Sequence, residues 1–284
     1  MPTRNVFGVI GGDARMRFLA ESIADDGYRI VVSGMEELNA FDGEFDLSVE
    51  EAIRESDVII LPLPATRDGK LLNAPYSKSP IIIDDSLAKQ MTNKIVYGGM
   101  LKKLIAASPI WREVGPEDYY MREELAVGNA IPTAEGALGI AINEYPATVN
   151  GARCLVVGFG RIGKNLSMLL RVLGAQVYAS ARRNEELMLM RAFGVQPLRY
   201  QEITQKFDII FNTVPSVVIG PQILNRQDSE TLIIELASVP GGIDREYAQK
   251  CGIRVIDAPS LPGKTAPKTA AEFIKEAIYN MLEE

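Results

Sequence analysis

Short apolar runs rich in Val, Ile and Leu alternate along most of the chain with stretches whose apolar residues recur at helical spacing. Runs of this kind, bounded by turn residues, read as strands buried on both faces, and their alternation with helices predicts parallel sheets covered by helices. In the first half, strands are expected at Val6–Ile10, Arg29–Ser33, Val58–Leu61, Ile81–Ile83 and Lys94–Tyr97. Helices are expected at Arg15–Asp26, Ser48–Glu55 and Leu87–Met91. The second half predicts strands at Arg153–Val157, Gln176–Ser180, Ile209–Asn212, Leu232–Glu235 and Arg254–Ile256. Its helices are expected at Ile162–Leu173 and Asn184–Ala192.

The halves repeat one another. Ser56-Asp57-Val58-Ile59-Ile60-Leu61-Pro62-Leu63-Pro64 aligns with Phe207-Asp208-Ile209-Ile210-Phe211-Asn212-Thr213-Val214-Pro215. The same offset brings Ile82 onto Ile233, and a slightly smaller one brings Gly11 onto Gly158. The expected fold class is therefore α/β, with two doubly wound Rossmann-like domains joined by long connecting helices and a cleft between them. The expected domains are 1–132 and 149–263, with a connecting helix at 133–148 between them. Thr133 is the expected N-cap of a helix running to about Glu144, with Glu135 in its first turn. A last helix, Ala266–Leu282 with Pro267 in its first turn, lies within a segment, 264–284, expected to return to the first domain.

Composition narrows the function. The 284 residues are 47% apolar and 24% charged, the balance of a globular chain. A net charge of -7 argues against a general nucleic-acid binder, which needs a basic face. There are no histidines, which excludes Ser-His-Asp triads, Cys-His pairs, His-assisted hydride transfer and His-containing metal sites. Two cysteines alone make no structural zinc site, so no metal is expected, and Cys154 and Cys251 read as small buried hydrophobes in a reducing compartment. The N-terminus lacks the apolar core and cleavage site of a signal peptide, and no window reads as an uninterrupted membrane span. A cytoplasmic protein is the expectation.

The strongest chemical signal is Gly158-Phe159-Gly160-Arg161-Ile162-Gly163, which follows the strand ending at Val157 and opens an apolar helix. In that context each glycine has a reason. Gly158 permits the tight turn, Gly160 lets a pyrophosphate approach the backbone, and Gly163 lets the helix pack against the strand. The helix N-terminus then offers N–H groups and partial positive charge to phosphates. The first half fails the same test, because Gly11-Gly12-Asp13-Ala14-Arg15-Met16 has Asp13 and Met16 where the second and third glycines belong.

Cofactor choice is read after the second strand of the glycine-containing half, in Tyr178-Ala179-Ser180-Ala181-Arg182-Arg183. No carboxylate suited to the NAD ribose stands there, whereas Ser180, Arg182 and Arg183 suit the 2′-phosphate of NADP. NADP is the expected cofactor and NAD the alternative, with Arg182 and Arg183 then simply opening a solvated helix face. Two further loops should edge the nicotinamide: Asn212-Thr213-Val214-Pro215, and Glu235-Leu236-Ala237-Ser238-Val239-Pro240-Gly241-Gly242.

Together with the glycine turn, two segments carry a specific likeness: Asn129-Ala130-Ile131-Pro132-Thr133-Ala134-Glu135-Gly136 and Leu261-Pro262-Gly263-Lys264-Thr265-Ala266-Pro267-Lys268-Thr269. Over nearly its whole length the chain resembles the A-subunit family of bacterial dipicolinate synthases, within the broader group of two-domain nicotinamide enzymes. The glycine motif is shared by many families and the other two segments by few. The resemblance implies NADP-dependent oxidation of dihydrodipicolinate, or a hydrated precursor, to pyridine-2,6-dicarboxylate. It also implies partnership with a flavoprotein-like B subunit, and a role in the mother cell during sporulation. The missing histidines fit this reaction, because aromatisation drives loss of hydride and lessens the need for a strong base. A flat dicarboxylate needs cations and hydroxyls, and Thr66, Arg67, Lys264 and Thr265 are the expected contacts. Glu135 can take a proton or serve the helix end. A non-catalytic NADP-binding partner or sensor remains the alternative, and the sequence leaves homo-oligomerisation open.

Overall fold

A computed structural model of the chain describes residues 6–38 and 47–284. Its internal contacts divide the chain into two compact units, Met1–Asn129 with Ala266–Glu284, and Ala130–Thr265.

The first unit builds one sheet from β1 (Val6–Ile10), β2 (Arg29–Ser33), β3 (Val58–Ile60), β4 (Ile95–Gly98) and β5 (Glu117–Asp118). Between them run α1 (Ala14–Asp25), α2 (Val49–Glu55), α3 (Asp85–Gln90), α4 (Lys102–Ala107) and α5 (Pro109–Val114). All neighbours pair in parallel, in the order β2-β1-β3-β4-β5. The order reverses between β1 and β3, which is the doubly wound flavodoxin-like arrangement. Alternate residues of the inner strands feed two cores: Phe7, Val9 and Ile60 on one face, Ile10, Ile59 and Leu61 on the other.

The long helix α6 (Glu123–Glu144) runs from the first unit into the second. There the sheet contains β6 (Arg153–Val157), β7 (Gln176–Ser180), β8 (Gln196–Leu198), β9 (Ile209–Asn212), β10 (Leu232–Glu235) and β11 (Arg254–Asp257). Its helices are α7 (Arg161–Val172), α8 (Asn184–Ala192), α9 (Pro221–Leu224), α10 (Arg245–Lys250) and α11 (Leu261–Thr265). The all-parallel order β11-β10-β9-β6-β7-β8 is the Rossmann order, reversing between β6 and β9. The expected α/β class with two Rossmann-like sheets is what forms.

Helix α12 (Pro267–Glu283) closes the first unit. Its buried Ala271, Ile274, Ala277 and Ile278 share a core with Leu19, Ala20 and Ile23 of α1. Small residues at this contact let the two backbones approach. At its rim Lys275 Nζ reaches Asp26 Oδ2 at 2.9 Å, and the Tyr279 hydroxyl donates to the same carboxylate.

The repeat seen in the sequence corresponds to a shared hydrogen bond. Asp57 Oδ2 accepts from the Val6 N–H at the start of β1 (2.9 Å), and Asp208 Oδ2 accepts from the Arg153 N–H at the start of β6 (2.7 Å). The alignment of Ile82 with Ile233 has no such counterpart. Ile82 is 59% exposed in an isolated antiparallel bridge with Leu71, whereas Ile233 is buried in β10. Ile81–Ile83 is therefore not a strand of the sheet: alternation reports one buried face, which an excursion beside the sheet also has.

The connecting helix also differs from expectation. It begins ten residues earlier, at Glu123 rather than Thr133, and ends at Glu144 as expected. Glu123 and Glu124 supply its acidic first turn, and Pro132 lies inside it. A proline inside a helix removes one backbone bond at a cost of about 3 kcal/mol, which buried Ala130, Ala134, Ala137 and Ala141 offset by packing. With Pro132 inside, the apolar stretch becomes long enough in length and composition to cross a membrane, yet half of it is buried in the protein and Glu135 interrupts it.

Candidate functional site

In the second unit the last residues of the strands stand in one row. Leu198, Ser180, Val157, Asn212, Glu235 and Asp257 are successive register partners across the sheet. The glycine turn leaves this row at Val157, beside the reversal point where ligands of such sheets bind.

Each glycine has a distinct surrounding. Gly158 has φ +95°, and a Cβ there would lie 2.4 Å from Thr213 Oγ1. A Cβ on Gly163 would lie 2.1 Å from the Gly158 carbonyl oxygen, so only glycine lets α7 sit this close to the turn. Gly160 is the N-cap of α7, makes no side-chain cap, and a Cβ there would meet no protein atom within 4 Å. An uncapped helix N-terminus facing open space fits a pyrophosphate. Arg161 opens the helix on its exposed side, and half-buried Ile162 packs into the core.

The second strand ends in Ser180, whose carbonyl accepts the Gly158 N–H (2.9 Å) while its buried hydroxyl has no hydrogen-bond partner. Arg182 and Arg183 are exposed beyond it. Arg183 pairs with Glu186 (2.7 Å) and Glu185, which raises its pKa further. Arg182 stands by Tyr200: burial pushes that phenol up, and the arginine charge opposes the shift. Arg199, which carries no motif in the sequence, donates to Asn184 Oδ1 and to the Arg182 carbonyl and so ties down this turn.

Across the reversal point, Thr213 donates its N–H and its hydroxyl to the Val157 carbonyl, both at 2.9 Å. Val214 is half-buried and Pro215 exposed. Asn212 is wholly buried, its amide donating to Val214 O and to the Glu235 carboxylate. Ala237 N–H donates to Glu235 Oε1, and Ser238 is exposed. Sequence reasoning placed Glu235 at the head of this loop and gave it no role of its own, although a carboxylate ending the apolar strand Leu232-Ile233-Ile234 is a readable signal.

The same turn in the first unit is filled from within. Asp13 caps α1, and its carboxylate takes Nε and Nη2 of Arg15 at 2.9 and 2.8 Å; Arg15 also donates to Leu63 O. Arg15 is buried, and its pKa is raised despite a desolvation penalty because Asp13 faces it. The position a phosphate would take is thus held by a side-chain carboxylate.

Four expected substrate residues divide between the units. In the first, Thr66 is buried with its hydroxyl accepting the Gly69 N–H, and exposed Arg67 donates to Asn73 Oδ1. Asp68 accepts from Lys70 and Leu71 N–H groups, which hold its pKa below the usual range. In the second, Lys264 is exposed, and Thr265 Oγ1 donates to Leu261 O (2.8 Å) and lies against Gly136. Glu135 is exposed in the middle of α6, away from either helix end, so it does not serve a first turn. Among the described residues no group of three or more Cys, Asp or Glu stands where it holds a metal.

Residues 6–108 match the N-terminal domain family of the dipicolinate synthase A subunit, and residues 138–232 match the NAD binding domain of D-isomer specific 2-hydroxyacid dehydrogenases. The chain is 30% identical over 282 residues to the dipicolinate synthase A subunit of Bacillus subtilis, covering 97% of this chain and 95% of that one. The crystal structure of the dipicolinate synthase A chain from Bacillus subtilis superposes with a TM-score of 0.86, at 29% identity, over 100% of this chain and 97% of that one. The A subunit of dipicolinate synthase from Bacillus halodurans gives 0.88, at 28% identity, over 99% and 98%. A transhydrogenase from Sinorhizobium meliloti, 16% identical with a TM-score of 0.71 over 98% and 93%, shares the fold.

Proposed function

Because the chain belongs to the A-subunit family of dipicolinate synthases, we propose that it is the dehydrogenase component of such an enzyme and oxidises dihydrodipicolinate, or its hydrated precursor, with NADP. One observation carries the cofactor half of this reading: the uncapped N-terminus of α7 beside Gly160, at the reversal point of a Rossmann sheet. The turn Gly158–Gly163 would hold the pyrophosphate, and Arg182 the 2′-phosphate, since Arg183 is engaged by Glu185 and Glu186. When bound, the nicotinamide supplies the hydride acceptor, and the products are pyridine-2,6-dicarboxylate, reduced cofactor and a proton, with one water besides when the hydrated precursor is the substrate.

The chain's own residues then bind and orient. Arg67 and Lys264 are exposed cations suited to the two carboxylates, with Thr66 and Thr265 as hydroxyl neighbours. Because the product ring is aromatic, orientation and a modest proton acceptor suffice, which agrees with a chain that has no histidine. A flavoprotein-like B subunit is the proposed partner, and the mother cell cytoplasm during sporulation the proposed setting.

The test mixes the purified chain, alone and with its candidate partner, with NADP and fresh dihydrodipicolinate, following NADPH absorbance and dipicolinate together. Stoichiometric appearance of both is expected. Tight cofactor binding with no product from either mixture would overturn the reading in favour of a non-catalytic NADP-binding partner or sensor.

A further inference from the structure

Glu235 is a carboxylate only 3% exposed, and among the described residues no lysine or arginine pairs with it. A buried charge is held in place by hydrogen bonds, and here three donors converge. Oε1 accepts from Asn212 Nδ2 (2.6 Å) and Ala237 N (3.0 Å), and Oε2 from Gly242 N (2.8 Å).

These bonds join two loops that follow neighbouring strands. From β9, Asn212 Nδ2 also donates to Val214 O (2.9 Å) and Asn212 Oδ1 accepts from Val214 N (3.2 Å). From β10, Gly242 O accepts from the N–H groups of Val218 and Ile219, stitching the second loop back onto the first. The fit is close enough to forbid side chains at the joint. A Cβ on Gly242 would lie 2.4 Å from both Asn212 Nδ2 and Val214 O, and Gly241 has φ +83° with its Cβ position 3.0 Å from Glu235 Oε2.

We propose that the Asn212–Glu235 pair is a positioning clamp. It holds Thr213–Pro215 and Ala237–Gly242 in the form that receives the nicotinamide end of the dinucleotide, and neither side chain touches the cofactor. The inference rests on reading the second unit as a dinucleotide domain. In that reading the adenosine end belongs to the β6–β7–β8 side of the sheet and the nicotinamide end to the β9–β10 side. Asn212 acts through the loops because both its amide hydrogens and its carbonyl are already engaged.

The clamp therefore acts on half of the ligand, which separates it from general stabilisation. Calorimetry would compare NADPH with 2′-phospho-ADP-ribose, which lacks the nicotinamide, and NADH with ADP-ribose in parallel. For Glu235→Gln, which keeps the shape but turns an acceptor into a donor, the dinucleotide that the native chain binds should weaken at least tenfold. Its fragment should stay within twofold, and Asn212→Ser should behave alike. Equal weakening of dinucleotide and fragment, or no weakening of either, overturns the clamp. So does a Glu235→Gln chain that fails to fold, because the carboxylate then belongs to folding alone. A native chain that binds none of the four ligands overturns the dinucleotide reading itself.

Discussion

Alanine at Gly163 and alanine at Gly160 should have opposite consequences, although both belong to one turn. At Gly163 the new Cβ would sit 2.1 Å from the Gly158 carbonyl oxygen and 3.0 Å from its carbon. A carbon rests at roughly 3.3 Å or more from such an oxygen, so α7 and the turn must part by about 1 Å. Overpacking against backbone, which cannot rotate away, belongs at the upper end of the usual range, about 3 kcal/mol. That corresponds to a melting temperature lowered by roughly 6–12 °C. At Gly160 the backbone is extended (φ −79°, ψ −157°) and nothing stands within 4 Å. Losing glycine at an N-cap costs about 0.5–1 kcal/mol, and stiffening the unfolded chain returns about as much. Stability should hold within about 1 kcal/mol while dinucleotide affinity falls at least tenfold, about 1.4 kcal/mol, because the methyl occupies the space proposed for the pyrophosphate. Thermal melts and calorimetric titration of both variants read the two quantities. A Gly160→Ala chain that binds NADPH and NADH as the native one does would refute the pyrophosphate placement. A Gly163→Ala chain of native stability would refute the packing argument, and Gly160→Asp should abolish binding altogether.

Three further outcomes are expected. Arg182→Ala should weaken NADPH by about 10–100-fold, the worth of a charge-assisted hydrogen bond, and leave NADH within a few-fold; equal losses would remove the arginine from the 2′-phosphate. Asp68 is ionised in the folded loop with its pKa held low by the Leu71 and Lys70 N–H groups, so its contribution is complete above roughly pH 4 and is lost as pH falls through the lower folded value. Exchange protection of the Lys70 and Leu71 amides should accordingly collapse on acidification below that range, and protection that persists in Asp68→Ala, which has no side-chain acceptor, would refute the assignment. Burial pushes the Cys154 thiol up to about 12, so alkylation of the native chain at pH 8 should spare it while the unfolded chain reacts at both cysteines.

The inner strands and the glycine turn were legible in the order of residues alone. β6, β7, β9 and β10 fall where the apolar runs lie, because a strand buried on both faces writes its burial into consecutive residues. The Gly158–Gly163 turn was legible because its spacing answers a local backbone requirement. Two of the four edge strands left no such record: β5 is Glu117–Asp118 and β8 is Gln196–Leu198, short and half solvated, with little apolar pattern to read. Pro132 looked like a boundary because local preference favours one, and only packing along α6 reverses that preference. Tertiary structure alone decided that Arg15 would close the first glycine turn onto Asp13, that Arg183 would be taken by Glu185 and Glu186 while Arg182 stayed at Tyr200, and that Glu235 would meet Asn212 and Gly242. Periodicity records how much of each side chain is buried, whereas partners are set by which strand ends the sheet order makes neighbours, and that order exists only in the folded chain.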